Sequence, residues 1–161
     1  MSEKAVFLDR DGVLNREIGR YLHSLDEFEV LPNVASVLRD LKTRGYLLIV
    51  ISNQGGIDKG EVAKETVDAM FAKLDSELRA AGVALDAWYY CPHHPDVSAC
   101  RCRKPGSLLF EQAIAQFGIA PEKSVMIGDR ERDIEAAAKV SVRGILVDSN
   151  QDLRTILSLI P

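Results

Sequence analysis

The amino-acid sequence predicts an α/β fold, in which a parallel sheet of about five strands carries helices on both faces. Short apolar runs of strand length alternate along the chain with segments that repeat apolar residues at helical spacing. This alternation is typical of parallel strands joined by right-handed crossovers. The chain has 161 residues, which is the size of one domain. We therefore expect a single domain over residues 1–161.

The first half of the chain supplies three strands and two helices. Residues 5–8 are a continuous apolar run, as expected for a strand buried on both faces, and residues 46–52 form a second such run. Between them, apolar residues from Val34 to Leu41 share one helical face, with Asn33 as the candidate N-cap. A second helix covers the apolar repeat at 67–78, and the aromatic residues of 86–91 predict the third strand.

The second half continues the same alternation after a loop at 92–106. The predicted elements are a helix over 110–117, strand four at 123–128, a short Ala-rich helix at 131–139, strand five at 144–147 and a last helix ending near Ile160. The result is a Rossmann-like sheet, and the connections are too short to hold a large cap domain.

Polar residues follow the ends of four predicted strands. They are Asp9 and Asp11 after strand one, Ser52-Asn53-Gln54-Gly55-Gly56 at strand two, Cys91 and His93 at strand three, and Asp129 after strand four. A turn alone would explain one Asp-Gly pair. Four such groups at the carboxyl edge of one sheet, where ligands bind in α/β folds, predict a functional site.

The residue types at this edge favour phosphate chemistry. Carboxylates that converge on one point repel each other unless a cation lies between them. Mg²⁺ binds through one or two carboxylates, waters and a substrate phosphate. The Ser52 hydroxyl, the backbone at Gly55-Gly56 and the Lys104 ammonium are candidate phosphate contacts. We therefore expect Mg²⁺ and a small phosphorylated substrate.

Composition argues against other partner classes. The net charge is −4, the sequence pI is about 5.4, and the Lys and Arg residues are spread along the chain, so we expect no nucleic acid. No apolar run approaches the roughly 20 residues of a membrane helix, and no signal peptide precedes the first strand. We expect a cytoplasmic monomer that does not bind membranes.

The three cysteines and one histidine predict a zinc site. Cys91, His93, Cys100 and Cys102 lie within twelve residues and form a Cys₃His set, which is typical of structural Zn²⁺. The alternative is three ordinary thiols. His94 lacks the C-x-H spacing and is predicted at the surface or beside the substrate. The zinc loop would cover about 91–105.

Four motifs together resemble the haloacid dehalogenase (HAD) superfamily of phosphohydrolases: DRDGVLN, ISNQGG, RKP and GDRERD, each in order along nearly the whole chain. The resemblance implies an Asp9 nucleophile, an Asp11 general acid/base, and phosphate binding by Ser52 and Lys104. It also implies Mg²⁺ binding by Asp129, by the Asp9 carboxylate and by the main-chain carbonyl of Asp11. Asp133 either orients Lys104 or the metal ligands, or is a solvated helix residue.

Without a large cap, short loops have to select the substrate. The candidates are Glu17, Ile18, Gly19 and Arg20 after strand one, Asn53, Gln54 and Gly55 after strand two, Arg103 in the zinc loop, and Arg130 after strand four. For a bisphosphate, Arg103 or Lys59 is the predicted partner of the second phosphoryl group.

The predicted zinc loop indicates which groups within the superfamily the chain resembles. CPHHP followed by CRCRKP is similar to the loop of D,D-heptose 1,7-bisphosphate phosphatases and of histidinol phosphatases. SNQGGIDKGEV and the segment from Tyr21 to Glu29 favour the heptose group, which implies removal of a 7-phosphate. Arg130 and the short His93-to-Cys100 spacing keep histidinol phosphate as the alternative substrate.

Two further classes fit less well. A polynucleotide 3′-phosphatase would require a basic track along its surface, which this acidic chain does not offer. A zinc module without catalytic activity would be expected to have lost at least one of Asp9, Asp11, Lys104 and Asp129, and all four are present.

Overall fold

A computed structural model, which describes residues 2–161, confirms the α/β fold. The strands are β1 (Lys4–Leu8), β2 (Tyr46–Asn53), β3 (Ala87–Cys91), β4 (Val125–Gly128) and β5 (Arg143–Leu146). The α-helices are α1 (Val34–Thr43), α2 (Lys64–Ala80), α3 (Leu108–Phe117) and α4 (Glu131–Ala138). Short 3₁₀ segments lie at Leu25–Glu27, Pro121–Lys123 and Leu153–Leu159.

All neighbouring strands of the sheet are parallel, in the order β3-β2-β1-β4-β5. The central strand β1 pairs with β2 on one side and β4 on the other, so Phe7 lies beside both Ile49 and Met126. The strand order reverses between β1 and β4, and ligands of open α/β sheets bind at such a reversal. Asp9 and Asp129 follow these two strands directly.

The sheet is covered on both faces because its strands are apolar on both faces. Val6 and Leu8 point into a core shared with α1 and α2, whereas Ala5 and Phe7 point into a second core shared with α3 and α4. Phe7 contacts Phe110 of α3 at a ring-centroid distance of 5.1 Å. Side chains of successive strand residues point to opposite faces, so a continuous apolar run fills both cores.

Three local predictions were wrong. The last segment, Leu153–Leu159, is a 3₁₀ helix rather than an α-helix. Strand four begins at Val125, because Lys123 ends the 3₁₀ turn that precedes it. Asn33 precedes α1, but its φ of 69° is left-handed and its side chain makes no capping hydrogen bond. Its amide instead donates to Asp152 (3.1 Å), a partner distant in sequence.

The connections around the carboxyl edge hold no inserted domain. Residues 9–33 contain only loops and the 3₁₀ turn Leu25–Glu27, and residues 54–63 form a loop that leads into α2. Within residues 2–161, no helix has both the length and the apolar composition needed to cross a membrane.

Candidate active site

The ammonium group of Lys104 lies at the centre of the site. Its Nζ atom donates to Asp9 Oδ1 (3.1 Å) and to the main-chain oxygen of Ile51 (2.6 Å), and it forms an ion pair with Asp133 Oδ1 (2.7 Å). Lys104 is 1% exposed. Burial alone would lower its pKa, but the charges of Asp9 and Asp133 outweigh burial and raise the pKa above its ordinary value. Lys104 is therefore cationic.

Asp133 is buried and belongs to the site, so the alternative of a solvated helix residue was wrong. Besides its pair with Lys104, it accepts a hydrogen bond from the main-chain N of Arg130 through Oδ2 (3.1 Å). Gly128 makes this position possible, since a Cβ there would lie 2.3 Å from the Cβ of Asp133. The first turn of α4 thus places the Asp133 carboxylate beside Lys104, which agrees with the prediction that Asp133 orients Lys104.

Oxygen atoms of Asp9, Asp129 and Asp133 lie within 4.8 Å of one another, which fits a cation site. Burial and the neighbouring carboxylates raise the pKa of Asp9, whereas the charge of Lys104 lowers it. Burial is the largest of these effects, and the resulting pKa is about 8. Lys104 alone therefore does not offset the negative charge of the three carboxylates, and a divalent ion would offset the remainder. Mg²⁺ suits this set because it prefers carboxylate oxygens and a substrate phosphate.

Asp129 is held in place from two sides. Its Oδ2 accepts a hydrogen bond from the Ser149 hydroxyl (2.6 Å). Gly12, with a φ of +85°, lies against the same carboxylate, and a Cβ at Gly12 would come within 2.1 Å of Asp129 Oδ2. Any other residue at position 12 would therefore displace the carboxylate as well as strain the backbone.

The carboxylate of Asp11 accepts three hydrogen bonds. Oδ1 accepts from Arg10 Nη2 (2.8 Å) and Asn15 Nδ2 (2.9 Å), and Oδ2 accepts from Gln54 Nε2 (2.9 Å). Burial would raise the pKa of Asp11, but the Arg10 charge and these hydrogen bonds lower it below its ordinary value. The same Gln54 amide donates to the Ser52 hydroxyl (2.8 Å), so one side chain orients two of the predicted site residues.

Arg10 was missed by the sequence analysis. Its guanidinium is buried between the rings of Phe28 and Phe71, at 5.4 and 5.0 Å from their centroids. A buried cation is stabilised by such aromatic faces and by a paired carboxylate. The only sequence signal was its place between two candidate catalytic carboxylates.

A cavity of about 490 Å³ opens above these groups. Its lining includes Asp9, Asp11, Glu17, Gly19, Arg20, Asn53, Gln54, Lys104, Asp129 and Arg130, as predicted, and also Arg10, Tyr21, Leu22, His23, Glu61, Val62, Arg132 and Asp133. Ile18, Ser52, Gly55 and Arg103 are predicted substrate residues that do not line it.

Polar side chains near the loop after β2 form hydrogen bonds with main-chain groups of residues 91–105. The Asn53 amide pairs with the main chain of Lys104: Oδ1 accepts from its N (2.9 Å), and Nδ2 donates to its O (3.1 Å). Arg103 Nη1 donates to the main-chain oxygen of His93 (3.2 Å). A Cβ at Gly55 would lie 2.9 Å from Arg103 Nη1, so this glycine gives room to the zinc loop.

The predicted Cys₃His set converges in space. One ligand atom from each of Cys91, His93, Cys100 and Cys102 lies within 4.8 Å of the others, and the three cysteines are free thiols. The Sγ atoms of Cys91 and Cys100 are 3.6 Å apart, and His93 Nδ1 is 3.2 Å from Cys102 Sγ. Donors bound to one tetrahedral Zn²⁺ have separations of this size. His94 is not a member of the set.

Comparison with known proteins shows which family the chain belongs to. Residues 101–159 match the HAD-hydrolase-like family model. The chain is 40% identical over 149 residues to the D-glycero-beta-D-manno-heptose-1,7-bisphosphate 7-phosphatase of Haemophilus ducreyi, which covers 89% of this chain and 81% of that protein. It is 40% identical over 147 residues to the protein of the same name from Escherichia coli O6:H1, with 88% and 77% covered.

The fold also matches a solved structure. The crystal structure of D,D-heptose 1,7-bisphosphate phosphatase from B. bronchiseptica, complexed with magnesium and phosphate, superposes with a TM-score of 0.85 at 29% identity. The match covers 98% of this chain and 88% of that chain. A parallel sheet with Asp9, Lys104 and Asp129 at one edge defines a phosphatase of the HAD superfamily. Within that superfamily, the chain belongs to the D-glycero-beta-D-manno-heptose-1,7-bisphosphate 7-phosphatase family.

We predict that Asp133→Asn lowers the free energy of unfolding by about 3 kcal/mol, because it removes one charge from a buried ion pair. Asp40→Asn is the control, since Asp40 pairs with Arg44 at the surface, where such pairs contribute at most about 1 kcal/mol. Denaturant unfolding of both variants measures the difference. Equal effects would show that Lys104 does not depend on Asp133.

Proposed function

We propose that this phosphatase hydrolyses the 7-phosphate of D-glycero-D-manno-heptose 1,7-bisphosphate, with Mg²⁺, through an aspartyl-phosphate intermediate. The observation that carries this proposal is the convergence of Asp9, Asp11, Lys104 and Asp129 on one cavity. In this arrangement, the proposed nucleophile Asp9, the proposed acid/base Asp11 and the cation of Lys104 could all reach one phosphoryl group.

Asp9 is the proposed nucleophile. Its Oδ1 already accepts from Lys104 and from the main-chain N of Arg10 (2.9 Å). Oδ2 has no hydrogen-bond donor within residues 2–161. Attack on phosphorus forms an aspartyl-phosphate and breaks the bond to the sugar oxygen, and water then releases inorganic phosphate. Lys104 offsets part of the negative charge on the transferring group.

Asp11 is the proposed general acid and base. It would give a proton to the departing sugar oxygen and later take one from the attacking water. Its fixed orientation by Arg10, Asn15 and Gln54 supports this role. A bound phosphoryl group adds negative charge beside Asp11 and so favours the protonated form that an acid needs.

Asp9, Asp129 and the main-chain carbonyl of Asp11 are the proposed Mg²⁺ ligands. The ion would neutralise charge on the phosphoryl oxygens. Zn²⁺ is proposed at Cys91, His93, Cys100 and Cys102, where its role is structural, since the four protein ligands leave no open position. The zinc loop leads directly into Lys104, so the metal would fix the segment that supplies the buried cation.

Substrate choice is proposed to depend on cations at the cavity wall. Arg10 and Lys104 are paired with carboxylates of the site, and Arg20 is paired with Glu27. Arg132 also lines the cavity and has no ion pair within residues 2–161, and Arg130 has one long ion pair there, with Asp129 (4.0 Å). These two guanidinium groups are therefore available to a second phosphoryl group, which a bisphosphate has and histidinol phosphate lacks.

The nucleophile is tested by Asp9→Asn, which keeps the shape of the side chain and removes its charge. We expect kcat to fall at least about a thousandfold, as when other covalent nucleophiles are removed. Phosphate release measures the loss, circular dichroism checks the fold, and Asp40→Asn is the control. Turnover near the wild-type value in Asp9→Asn would contradict the assignment.

Zinc is tested with two neighbouring histidines. His93→Ala should lose most of the zinc and unfold at a lower temperature, whereas His94→Ala should keep about one zinc per chain, because only His93 belongs to the ligand set. Elemental analysis and thermal unfolding give both results. Equal zinc content in the two variants would exclude His93 as a ligand.

The substrate is tested with heptose 1,7-bisphosphate, histidinol phosphate and p-nitrophenyl phosphate. We expect kcat/KM for the bisphosphate to exceed that for histidinol phosphate by at least about tenfold, since remote contacts orient the reacting end. The double change Arg130→Gln and Arg132→Gln should reduce the bisphosphate reaction far more than that of the aryl phosphate. Arg79→Gln, on α2 and outside the cavity lining, is the control. A faster reaction with histidinol phosphate would overturn the substrate assignment.

A further inference from the structure

The loop after β5, residues 148–152, contacts the site, although no sequence pattern predicted this contact. The Asn150 side chain pairs with the main chain of Glu17: Oδ1 accepts from its N (2.7 Å), and Nδ2 donates to its O (3.0 Å). The main-chain N of Asn150 also donates to the oxygen of Gly12 (2.8 Å). Three hydrogen bonds thus connect one residue to the segment that follows β1.

The residue type is suited to this contact. Asn150 has a left-handed backbone with a φ of 68°, which Asn and Gly adopt more readily than other residues. Its amide has one acceptor and one donor group at the same end, which matches the N–H and C=O of a single residue. Gly would keep the backbone conformation and make neither side-chain bond.

Glu17 connects Asn150 to the residues that line the cavity. Its Oε1 accepts a hydrogen bond from the N of Gly19 (2.8 Å), which has a φ of +86°. Glu17 and Gly19 line the cavity, and so do the residues that follow as far as His23. Asn150 does not line it. Its effect on the cavity therefore passes through Glu17.

We propose that Asn150 is a positioning residue that sets the cavity wall formed by Glu17 and residues 19–23. In the proposed function, this wall would contact the part of the substrate remote from the reacting phosphoryl group. The proposal rests on the proposed function for the identity of that substrate, but not for the hydrogen bonds. The Asn150 side chain makes no hydrogen bond to Asp9 or Lys104 within residues 2–161.

Asn150→Gly tests this role, because it removes both side-chain hydrogen bonds without straining the backbone. We expect kcat/KM for heptose 1,7-bisphosphate to fall about tenfold or more, mainly through KM, because a misplaced wall orients the remote end poorly. The reaction of p-nitrophenyl phosphate, which has neither a sugar nor a second phosphoryl group to contact the wall, should change by no more than about twofold.

Asn33→Gly is the matched control. Asn33 also has a left-handed backbone, and its amide bonds only to Asp152, which belongs to the loop 148–152 but does not line the cavity. This variant therefore removes a hydrogen bond to the same loop without breaking the contact between Asn150 and Glu17. We expect both substrates to be turned over at wild-type rates in this variant. An equal loss for both substrates in Asn150→Gly, together with a lower unfolding temperature, would mean that Asn150 only stabilises the fold, and would overturn the proposal.

A measurement without substrate separates this proposal from the proposed function. Hydrogen exchange of the peptide covering residues 17–23 should be at least about tenfold faster in Asn150→Gly than in wild type and Asn33→Gly, because the amide of Glu17 loses its acceptor. Unchanged exchange would refute the positioning role, whatever sugar phosphate the enzyme hydrolyses. If exchange rises but the bisphosphate is not hydrolysed, only the substrate assignment fails.

Discussion

The buried Lys104 ammonium is the interaction on which the rest of the site depends. Three oxygen atoms surround it: Asp9 and the main-chain oxygen of Ile51 accept hydrogen bonds, and Asp133 forms an ion pair. These partners come from the end of β1, the first turn of α4 and β2. A charge buried to this extent is tolerated only when it is paired and hydrogen-bonded, so the three elements must meet at one point. The position of Asp9, the proposed nucleophile, is one result of this requirement.

Two asparagines fix the loops around this centre in the same way. Asn53 pairs with the main chain of Lys104, and Asn150 pairs with the main chain of Glu17. Each amide satisfies an N–H and a C=O of a loop residue that has no strand partner. Buried main-chain groups need such partners, and the loops of a site without a cap domain have few other sources of them. Side chains on these loops can then be placed as accurately as side chains on a strand.

The sheet and most of the site could be predicted because their signals are local. Apolar runs marked the strands, and Asp9 and Asp129 directly follow two of them. Asn150 had no such signal, because its partner Glu17 is 133 residues away in sequence. Asn33 was misread for a similar reason: the residue type suits an N-cap, but the distant Asp152 binds its amide. For the final segment, the apolar spacing of LRTILSL fits an α-helix and a 3₁₀ helix about equally well, and packing of Leu153 and Ile156 against the core decides between them.

Arg10, which lies between the two proposed catalytic carboxylates, connects one of them to the packing of the helices. The strand ends at Leu8, and Arg10 extends beneath the cavity to lie between Phe28 and Phe71. Phe71 belongs to α2, and Phe28 follows the 3₁₀ turn Leu25–Glu27. Lys73 of α2 also donates to the main-chain oxygen of Phe28 (3.2 Å), which holds that ring over the guanidinium. Because Arg10 in turn bonds to Asp11, the orientation of the proposed acid depends on the packing of α2 against the loop after β1. Substitutions in this aromatic pair would thus alter Asp11 through Arg10, without touching the substrate.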